Sequence, residues 1–239
     1  MRIDIADVIG GFPEFQVAVI VATDLRIADT RPAGLAAEIA AREAACRVRW
    51  AGVELSEIPG IAVWRKAYRA FGIKKTSYRC SVERLVKNVL AGRGIPPINA
   101  FVDAYNAVSL AHVLPAGADD LDRVVGDLAF RYSRPGDSFL DMAGGEDGAS
   151  AEPAFDPPKP GEVVYADGEK VLCRRWNWRQ DARSLVSPAT RRAVVTIQAN
   201  GHGALDAAAA DFIGLVSTHI GGMTKTVLAD RDRAVSSIE

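Results

Sequence analysis

Residues 171–180, VLCRRWNWRQ, concentrate the side chains with the most chemical potential in this chain. The ten residues include two of the four tryptophans, three arginines, an asparagine and a cysteine. Tryptophan rings and planar guanidinium groups stack on other rings, and an amide hydrogen-bonds to ring edges. The composition therefore fits a binding site for a flat, polar ligand. It also fits a tryptophan pair that covers an edge of the core, with solvated arginines outside.

The preceding residues must position this stretch. The β-rich runs 162–166 and 169–175 flank Asp167 and Gly168, a pair typical of a two-residue hairpin turn. We therefore predict a β-hairpin whose second strand delivers residues 174–179 to its far end, where the chain enters a loop. Cys173 is a candidate nucleophile because arginines follow it, but its place inside a strand favours a packed, unreactive thiol.

The remaining elements follow from hydrophobic periodicity. We predict strands at 15–22, 127–132 and 193–199, and helices at 35–46, 61–71, 81–92 (with Ser81 as N-cap), 99–112 and 206–220. Residues 119–126 are expected to form an acidic turn, and residues 136–160 a surface loop. Strands and helices that alternate irregularly indicate an α+β (irregular α/β) fold. We expect one domain over 1–239, with an N-terminal strand and helix (1–60), a core (61–222) and a frayed tail (223–239).

The overall composition is that of an ordinary soluble globular protein, with 49% hydrophobic and 25% charged residues and a net charge of −1. No apolar run reaches the length of a membrane span, and the N-terminal residues lack the apolar segment of a secretory signal. Three widely spaced cysteines do not form a disulfide framework. We therefore expect a cytoplasmic protein without membrane contact.

Charge is distributed unevenly along the chain. Residues 61–93 hold nine basic residues and one acid, Glu83. Such a segment can dock a polyanion, although basic helices are also simply solvated faces in many enzymes. The basic candidates that we single out are Arg65, Lys66, Arg69, Lys74, Lys75 and Arg79.

Common catalytic motifs are missing from the sequence. The glycine pairs lack the context of a phosphate loop, and no GxSxG, HExxH or CxxC motif occurs. His112, His202 and His219 show no metal-ligand spacing, so we expect neither a metal nor a cofactor. Residue patterns alone thus predict a globular domain with a basic face and an aromatic, arginine-rich strand end.

Three segments together resemble a known family. Residues 96–131 are similar to the B3/B4 module of the bacterial phenylalanyl-tRNA synthetase β subunit, which has a VD-x-TNY-like helix followed by a leucine, a proline and a DLD-like turn. Residues 161–179 and 190–199 resemble the free-standing form of the module, in which RWNWR replaces a glycine-rich loop. The similarity extends from about residue 71 to about residue 220. It implies a three-layer fold with an unusual β-sandwich flanked by helices.

The resemblance also implies a function. In the synthetase this module hydrolyses tyrosine mischarged on the tRNA for phenylalanine, so the free-standing form is expected to be a trans-editing deacylase of aminoacylated tRNA. Asn106 matches an asparagine that lines the editing pocket, Tyr105 replaces a threonine, and Gly117 stands where many synthetases have a histidine. Gln198 replaces a glutamate that contacts the side chain of the amino acid. An amide there removes a charged acceptor for a phenol hydroxyl.

An activated ester needs little beyond orientation of water and stabilisation of the oxyanion. We expect this of three amides, namely Asn106, Gln198 and Asn177. The expected substrate-binding residues are Tyr105, Gly117, Arg175, Trp176, Trp178 and Arg179, and the basic residues above would dock the tRNA. No general base is evident in the sequence. Two alternatives remain: an RNA-binding module without turnover, and a hydrolase or binder of a small amino-acid derivative.

Overall fold

The computed structural model describes residues 1–74, 78–142 and 154–238. Its α-helices are α1 (Ala6–Ile9), α2 (Ala33–Arg49), α3 (Pro59–Ala70), α4 (Ser81–Leu90), α5 (Ala100–His112) and α6 (Leu205–His219). Its strands are β1 (Arg2–Asp4), β2 (Phe15–Thr23), β3 (Ala116–Asp120), β4 (Leu128–Tyr132), β5 (Leu140–Asp141), β6 (Ala154–Phe155), β7 (Val163–Ala166), β8 (Val171–Arg174), β9 (Arg179–Gln180), β10 (Ala193–Asn200), β11 (Met223–Ala229) and β12 (Val235–Ser237).

Two sheets carry the architecture. One has six strands in the order β12-β1-β4-β7-β8-β9, and the other has four in the order β11-β2-β10-β3. All pairs in the four-stranded sheet are antiparallel, whereas β1 and β4 in the larger sheet are parallel. Two adjacent strands in sequence, β1 and β2, therefore belong to different sheets. The mixture of antiparallel ladders and helices without regular alternation is an α+β fold, as predicted.

The four-stranded sheet forms the middle of three layers. Helices α5 and α6 lie against it, and α2 packs on both of them. On its other side Phe15 of β2 meets Phe130 of β4 edge-on, with ring centroids 5.1 Å apart. Because β2 is covered on both faces, Val17 to Ile20 are all fully buried. This burial explains why the strand reads as a continuous apolar run without alternation.

The C-terminal residues correct one expectation. The tail predicted to fray contains β11, which pairs with β2 along its whole length, and β12, which pairs with β1. Ladder hydrogen bonds and the burial of Ala229 and Ile238 hold this segment. Four charged residues, Asp230 to Arg233, lie in the turn between the two strands.

Two predicted irregular segments contain regular structure. Asp119 and Asp120 complete strand β3, and a 3-10 turn from Leu121 to Arg123 follows, where an acidic turn was expected. The predicted loop 136–160 contains the short β5–β6 ladder. Neither segment shows the alternation or β-branched residues that identify strands in sequence.

The predicted hairpin of β7 and β8 is confirmed, but its turn is different. Asp167 N donates to Lys170 O at 3.0 Å, so the turn spans four residues. The Asp167 carboxylate caps it by accepting from Glu169 N and Lys170 N, both at 2.8 Å. Asp167 and Gly168 both keep negative φ angles. Side-chain capping of the backbone thus replaces the positive-φ geometry that the Asp-Gly pair favours.

The N-cap of helix α4 lies one residue earlier than predicted. Its N-cap is Cys80, and Ser81 is the first helical residue. Ser81 N donates to Asn177 O at 2.9 Å. A backbone group freed by the helix terminus therefore fastens α4 to the turn that follows β8.

That turn has unusual backbone geometry. Arg175 and Trp176 have φ angles of 48° and 66°, a left-handed conformation that costs about 1–3 kcal/mol per non-glycine residue. The Trp176 ring is fully buried and meets Phe12 at 4.7 Å, Phe15 at 4.9 Å and Trp64 at 5.2 Å, all edge-on. Trp176 is thus a core residue, and its ring has no exposed surface for the ligand contact that was expected of it.

We predict that Trp176→Ala lowers the free energy of unfolding by about 3–5 kcal/mol, because it removes a fully buried ring and leaves a cavity. Urea denaturation measures this change. Trp50→Ala is the matched control, since that ring is partly exposed under the Arg49 guanidinium. Equal losses in the two variants would contradict the central place of Trp176.

Candidate functional site

A cavity of about 170 Å³ lies between the two sheets. The four-stranded sheet lines it with Gly117, Asp119, Thr196 and Gln198. Thr196 pairs with Gly117, and Val194 pairs with Asp119, so alternate residues of β3 and β10 point to the same side. Strand periodicity therefore brings polar groups from two distant segments into one cavity.

The facing sheet supplies the opposite wall. Tyr165 pairs with Cys173, and Cys173 pairs with Gln180, so all three side chains share the inner face of the six-stranded sheet. The turn after β8 adds Asn177 and Trp178. Helices α4 and α5 close the cavity with Ser81, Arg84, Tyr105 and Asn106.

Seven of the nine residues expected in the site line this cavity. They are Tyr105, Asn106, Gly117, Asn177, Trp178, Arg179 and Gln198. Trp176 lies in the core, and Arg175 is also buried, with its guanidinium 3.7 Å from the centroid of the Tyr78 ring and 4.1 Å from that of Trp178. Arg175 therefore supports the wall from behind and does not line the cavity, where its contact with a ligand was expected.

A chain of hydrogen bonds orients two of the three amides. Tyr68 Oη donates to Asn177 Oδ1 at 2.9 Å, and Asn177 Nδ2 donates to Gln198 Oε1 at 3.0 Å. Gln198 Nε2 in turn donates to Thr196 Oγ1 at 3.3 Å. Each amide in this series of hydrogen bonds has a fixed partner. The polar wall that Asn177, Gln198 and Thr196 form is therefore rigid, and these three side chains carry no charge.

Gly117 leaves space in the cavity. A Cβ atom built on this glycine meets nothing within 4 Å, and its φ angle is not in the left-handed region. A side chain at this position would therefore enter the cavity without straining the backbone. The absence of a side chain at Gly117 enlarges the site where the resemblance implies a histidine.

Asp119 is a site residue that the sequence did not reveal. Its side chain is 3% exposed, and Oδ1 accepts from Ser184 Oγ at 2.6 Å and from Gln180 Nε2 at 2.8 Å. Burial raises the pKa of this carboxyl to about 7, against the lowering effect of the two hydrogen bonds. Because AGADD lacks the residues typical of strands, only a paired-strand register could have placed Asp119 inside.

The Cys173 thiol also lines the cavity, and burial raises its pKa far above the ordinary value. A thiol that stays protonated at neutral pH is a poor nucleophile. This result agrees with the prediction of an unreactive cysteine, although Cys173 does face the site.

Two arginines flank the mouth of the cavity. Arg179 Nη1 lies 2.7 Å from Asp141 Oδ2, and its guanidinium lies 4.4 Å from the centroid of the Trp178 ring. The Arg84 side chain is exposed, and its pKa is lowered by desolvation against the protein and by the charge of Arg179. Arg84 adds positive charge beside the Arg179–Asp141 pair, which makes this mouth attractive to an anionic ligand.

The basic residues expected to dock a polyanion fall into two groups. Lys66, Arg69 and Lys74 are exposed. Arg65 and Arg79 both pair with the buried Glu83 carboxylate, and Arg65 Nη2 lies 2.6 Å from it. Glu83 therefore neutralises part of their positive charge. Lys75 lies outside the described residues.

A smaller cavity of about 80 Å³ lies beside these basic residues. Arg65, Arg69 and Lys74 line it together with Trp64, Tyr68 and Tyr78. The Tyr78 ring meets Trp178 edge-on at 5.3 Å. The pair of rings therefore joins the basic surface to the wall of the larger cavity.

The described residues contain neither a cluster of metal ligands nor a membrane-spanning helix. No group of three or more histidine, cysteine, aspartate or glutamate side chains is placed to hold a metal ion in this part of the chain. Within the same ranges, no helix is long and apolar enough to cross a membrane.

Residues 63–217 match the model of the B3/4 domain. The chain belongs to the B3/4 domain family. This confirms the resemblance inferred from the sequence, and the matched residues include the whole lining of the larger cavity. A solved N-terminal fragment of the phenylalanyl-tRNA synthetase β subunit from Pyrococcus horikoshii is similar, with a TM-score of 0.45 and 9% identity. The similarity covers 95% of this chain and 54% of that chain. A comparison with curated proteins finds no match.

We predict that Asp119→Asn changes how stability depends on pH. The folded chain holds the Asp119 proton up to about pH 7, whereas the unfolded chain releases it near the ordinary pKa of 3.8. The unfolded state thus binds fewer protons in this window, and Asp119 makes the wild type less stable as pH rises. The asparagine stays neutral, so the free energy of unfolding of the variant relative to wild type rises through the window, by at most about 1.4 kcal/mol per pH unit.

Urea denaturation at several pH values between 4 and 8 measures this effect. Asp122→Asn is the control, because the Asp122 carboxylate is exposed at the surface. A flat difference between Asp119→Asn and wild type would show that the pKa of Asp119 is ordinary.

Proposed function

We propose that this B3/4 protein is a trans-editing deacylase, which hydrolyses the ester between a mischarged amino acid and the 3′ end of a tRNA. The observation that carries the proposal is the convergence of Asn106, Asn177 and Gln198 on one cavity whose mouth adjoins a basic surface. Family membership supports an association with tRNA, and a reducing cytoplasm is the compartment in which such a protein would work.

The cavity suits the aminoacyl group. Pockets for drug-sized ligands have volumes of about 300–1,000 Å³, so about 170 Å³ is suited to a smaller group such as one amino acid. The Gln198 amide gives the wall a neutral polar group in place of a carboxylate. We therefore expect the amino acid to be neutral, with a side chain that meets an amide.

The surface around the cavity suits the end of a tRNA. Trp178 offers a ring at the wall on which the terminal adenine can stack, a contact worth about 1–3 kcal/mol per base. Arg84 and Arg179 lie beside it and can meet the terminal phosphates. Lys66, Arg69 and Lys74 extend the positive charge along the neighbouring surface.

Hydrolysis in this site depends mainly on orientation. Water and the ester carbonyl are held by the amides of Asn106 and Asn177, and an arginine offsets the developing oxyanion. Asn177 and Gln198 are each bonded on both sides, and each keeps a second amide hydrogen that can orient the bound groups. No covalent intermediate is needed, since the aminoacyl ester is already activated.

We predict that the protein deacylates at least one member of a panel of aminoacyl-tRNAs that begins with tyrosine and other non-cognate amino acids on the tRNA for phenylalanine. Asn106→Ala is expected to lower the single-turnover rate at least ~100-fold, as does loss of an oriented donor in other acyl-transfer sites. Gly117→Leu should abolish turnover by filling the cavity. Gly214→Leu is the matched control, because a side chain at this exposed helical glycine also meets nothing within 4 Å.

The outcomes separate the candidate functions. Release that depends on enzyme concentration and is lost in both cavity variants supports the deacylase. No release from any aminoacyl-tRNA, with tRNA binding intact at low salt, favours a non-catalytic RNA-binding module. Absence of both release and binding leaves a small amino-acid derivative as the ligand of the cavity.

We also predict that tRNA affinity falls steeply with salt, because binding releases counterions from phosphates. Replacing Lys66, Arg69 and Lys74 together by alanine is expected to reduce the slope of log K against log salt by about one for each lost contact. Filter binding over a salt series measures the slope. The control replaces three exposed basic residues near the C-terminus, Lys225 on the edge strand β11 and Arg231 and Arg233 in the turn after it. Equal changes in both triple variants would refute a docking role for the basic helices.

A further inference from the structure

We propose that Asp119 is the general base of this site and takes a proton from the attacking water, an inference that rests on the deacylase function proposed above. Asp119 is the one acidic residue among the described residues that line the cavity. It is fixed on strand β3, two residues from Gly117, so it lies next to the space that the glycine leaves open.

The hydrogen bonds of Asp119 prepare one oxygen for water. Oδ1 accepts from Ser184 and Gln180, which hold the carboxylate in one orientation. The side-chain hydrogen bonds that Asp119 accepts from described residues all end on Oδ1, which leaves Oδ2 for a water molecule in the cavity. A base must reach the proton that it removes, and one anchored and one available oxygen meet that condition.

Burial, rather than the charges that face Asp119, has the largest effect on the pKa of its carboxyl. The β7–β8 hairpin presents Tyr165, Cys173 and Lys170, helix α5 presents Tyr105, and the turn after β9 presents Asp181. The phenols and the thiol are neutral, and Lys170 and Asp181 act in opposite directions. Arg84 and Arg179 line the same cavity. A carboxyl whose pKa burial raises to about 7 is partly ionised at neutral pH, which is where a general base is most effective.

The other polar residues of the cavity lack this capacity. Amide side chains such as Asn106 and Gln198 do not accept a proton at neutral pH, and the Cys173 thiol stays protonated. The three histidines, His112, His202 and His219, are not among the lining residues. Of the described groups in the cavity, the Asp119 carboxylate alone combines basicity near pH 7 with an available lone pair.

The step balances with water as the only co-reactant. Asp119 accepts a proton from water as the water oxygen forms a bond to the ester carbonyl carbon. The bond from that carbon to the ribose oxygen then breaks, and the proton passes from Asp119 to the ribose oxygen. The products are the free amino acid and a tRNA with a 3′-terminal hydroxyl, and the carboxylate of Asp119 is restored.

Single-turnover deacylation of the aminoacyl-tRNA on which the wild type is active tests the inference, measured between pH 5.5 and 9. The wild-type rate should rise with pH and level off above about pH 7. Asp119→Asn should lose at least ~100-fold in rate, the contribution typical of general-base catalysis, and keep its affinity for tRNA. Asp122→Asn should match the wild type in both rate and profile.

Ser184→Ala gives a readout that a purely structural role would not produce. It removes a hydrogen bond that favours the charged carboxylate, so the midpoint of the pH–rate profile should move upward while the limiting rate is largely kept. Should Asp119→Asn not fold, the profiles of the wild type and Ser184→Ala still decide the matter.

The two proposals can fail separately. An active wild type with a pH-independent rate, or an Asp119→Asn variant that is as fast as wild type, overturns the role of Asp119 and leaves the deacylase standing. A wild type that releases no amino acid from any aminoacyl-tRNA overturns both.

Discussion

The burial of the Trp176 ring between the sheets is the interaction on which the site depends. Four aromatic residues, Phe12, Phe15, Trp64 and Phe71, surround this ring. Arg175 and Trp176 both have left-handed backbone, a conformation that neither residue type prefers. The free energy gained by burying the Trp176 ring offsets the cost of this backbone. The sharp reversal that follows turns Asn177 and Trp178 towards the cavity. Core packing, rather than turn propensity, therefore sets the geometry of the polar wall.

Asn177 connects the layers of the fold through its hydrogen bonds. Its carbonyl accepts from Ser81 N at the start of α4, its side-chain oxygen accepts from Tyr68 of α3, and its side-chain nitrogen donates to Gln198 of β10. One turn thus joins two helices and both sheets. Loss of the Asn177 side chain would leave Gln198 Oε1 without its donor, and an unsatisfied buried group of this kind costs about 1–3 kcal/mol. Stability and site geometry are therefore linked through the same residue.

Hydrophobic periodicity predicted the main helices, the central strands and the hairpin, because burial of one or both faces of an element determines the spacing of its apolar residues. It failed where strands lack that signal: β3 is AGADD, and β11 and β12 lie in a charged tail. Trp176 and Trp178 look equivalent in sequence, yet one lies in the core and the other lines the cavity, because backbone torsion in a turn is set by distant contacts. Asn106 and Gln198 were identified through resemblance, whereas Asp119 required the register of β3 against β10.

The buried acid Asp119 provides a physical reason for an amide, rather than a carboxylate, at Gln198. The resemblance implies a glutamate at that position, and both residues line one cavity of about 170 Å³. Two carboxylates in so small a space would repel each other, and the pKa of at least one would rise further. A neutral amide avoids this repulsion and keeps an oxygen for the Asn177 amide. The open position at Gly117 and the amide at Gln198 are therefore compatible with a single acid–base group, whose proton affinity is set by burial rather than by a second charge.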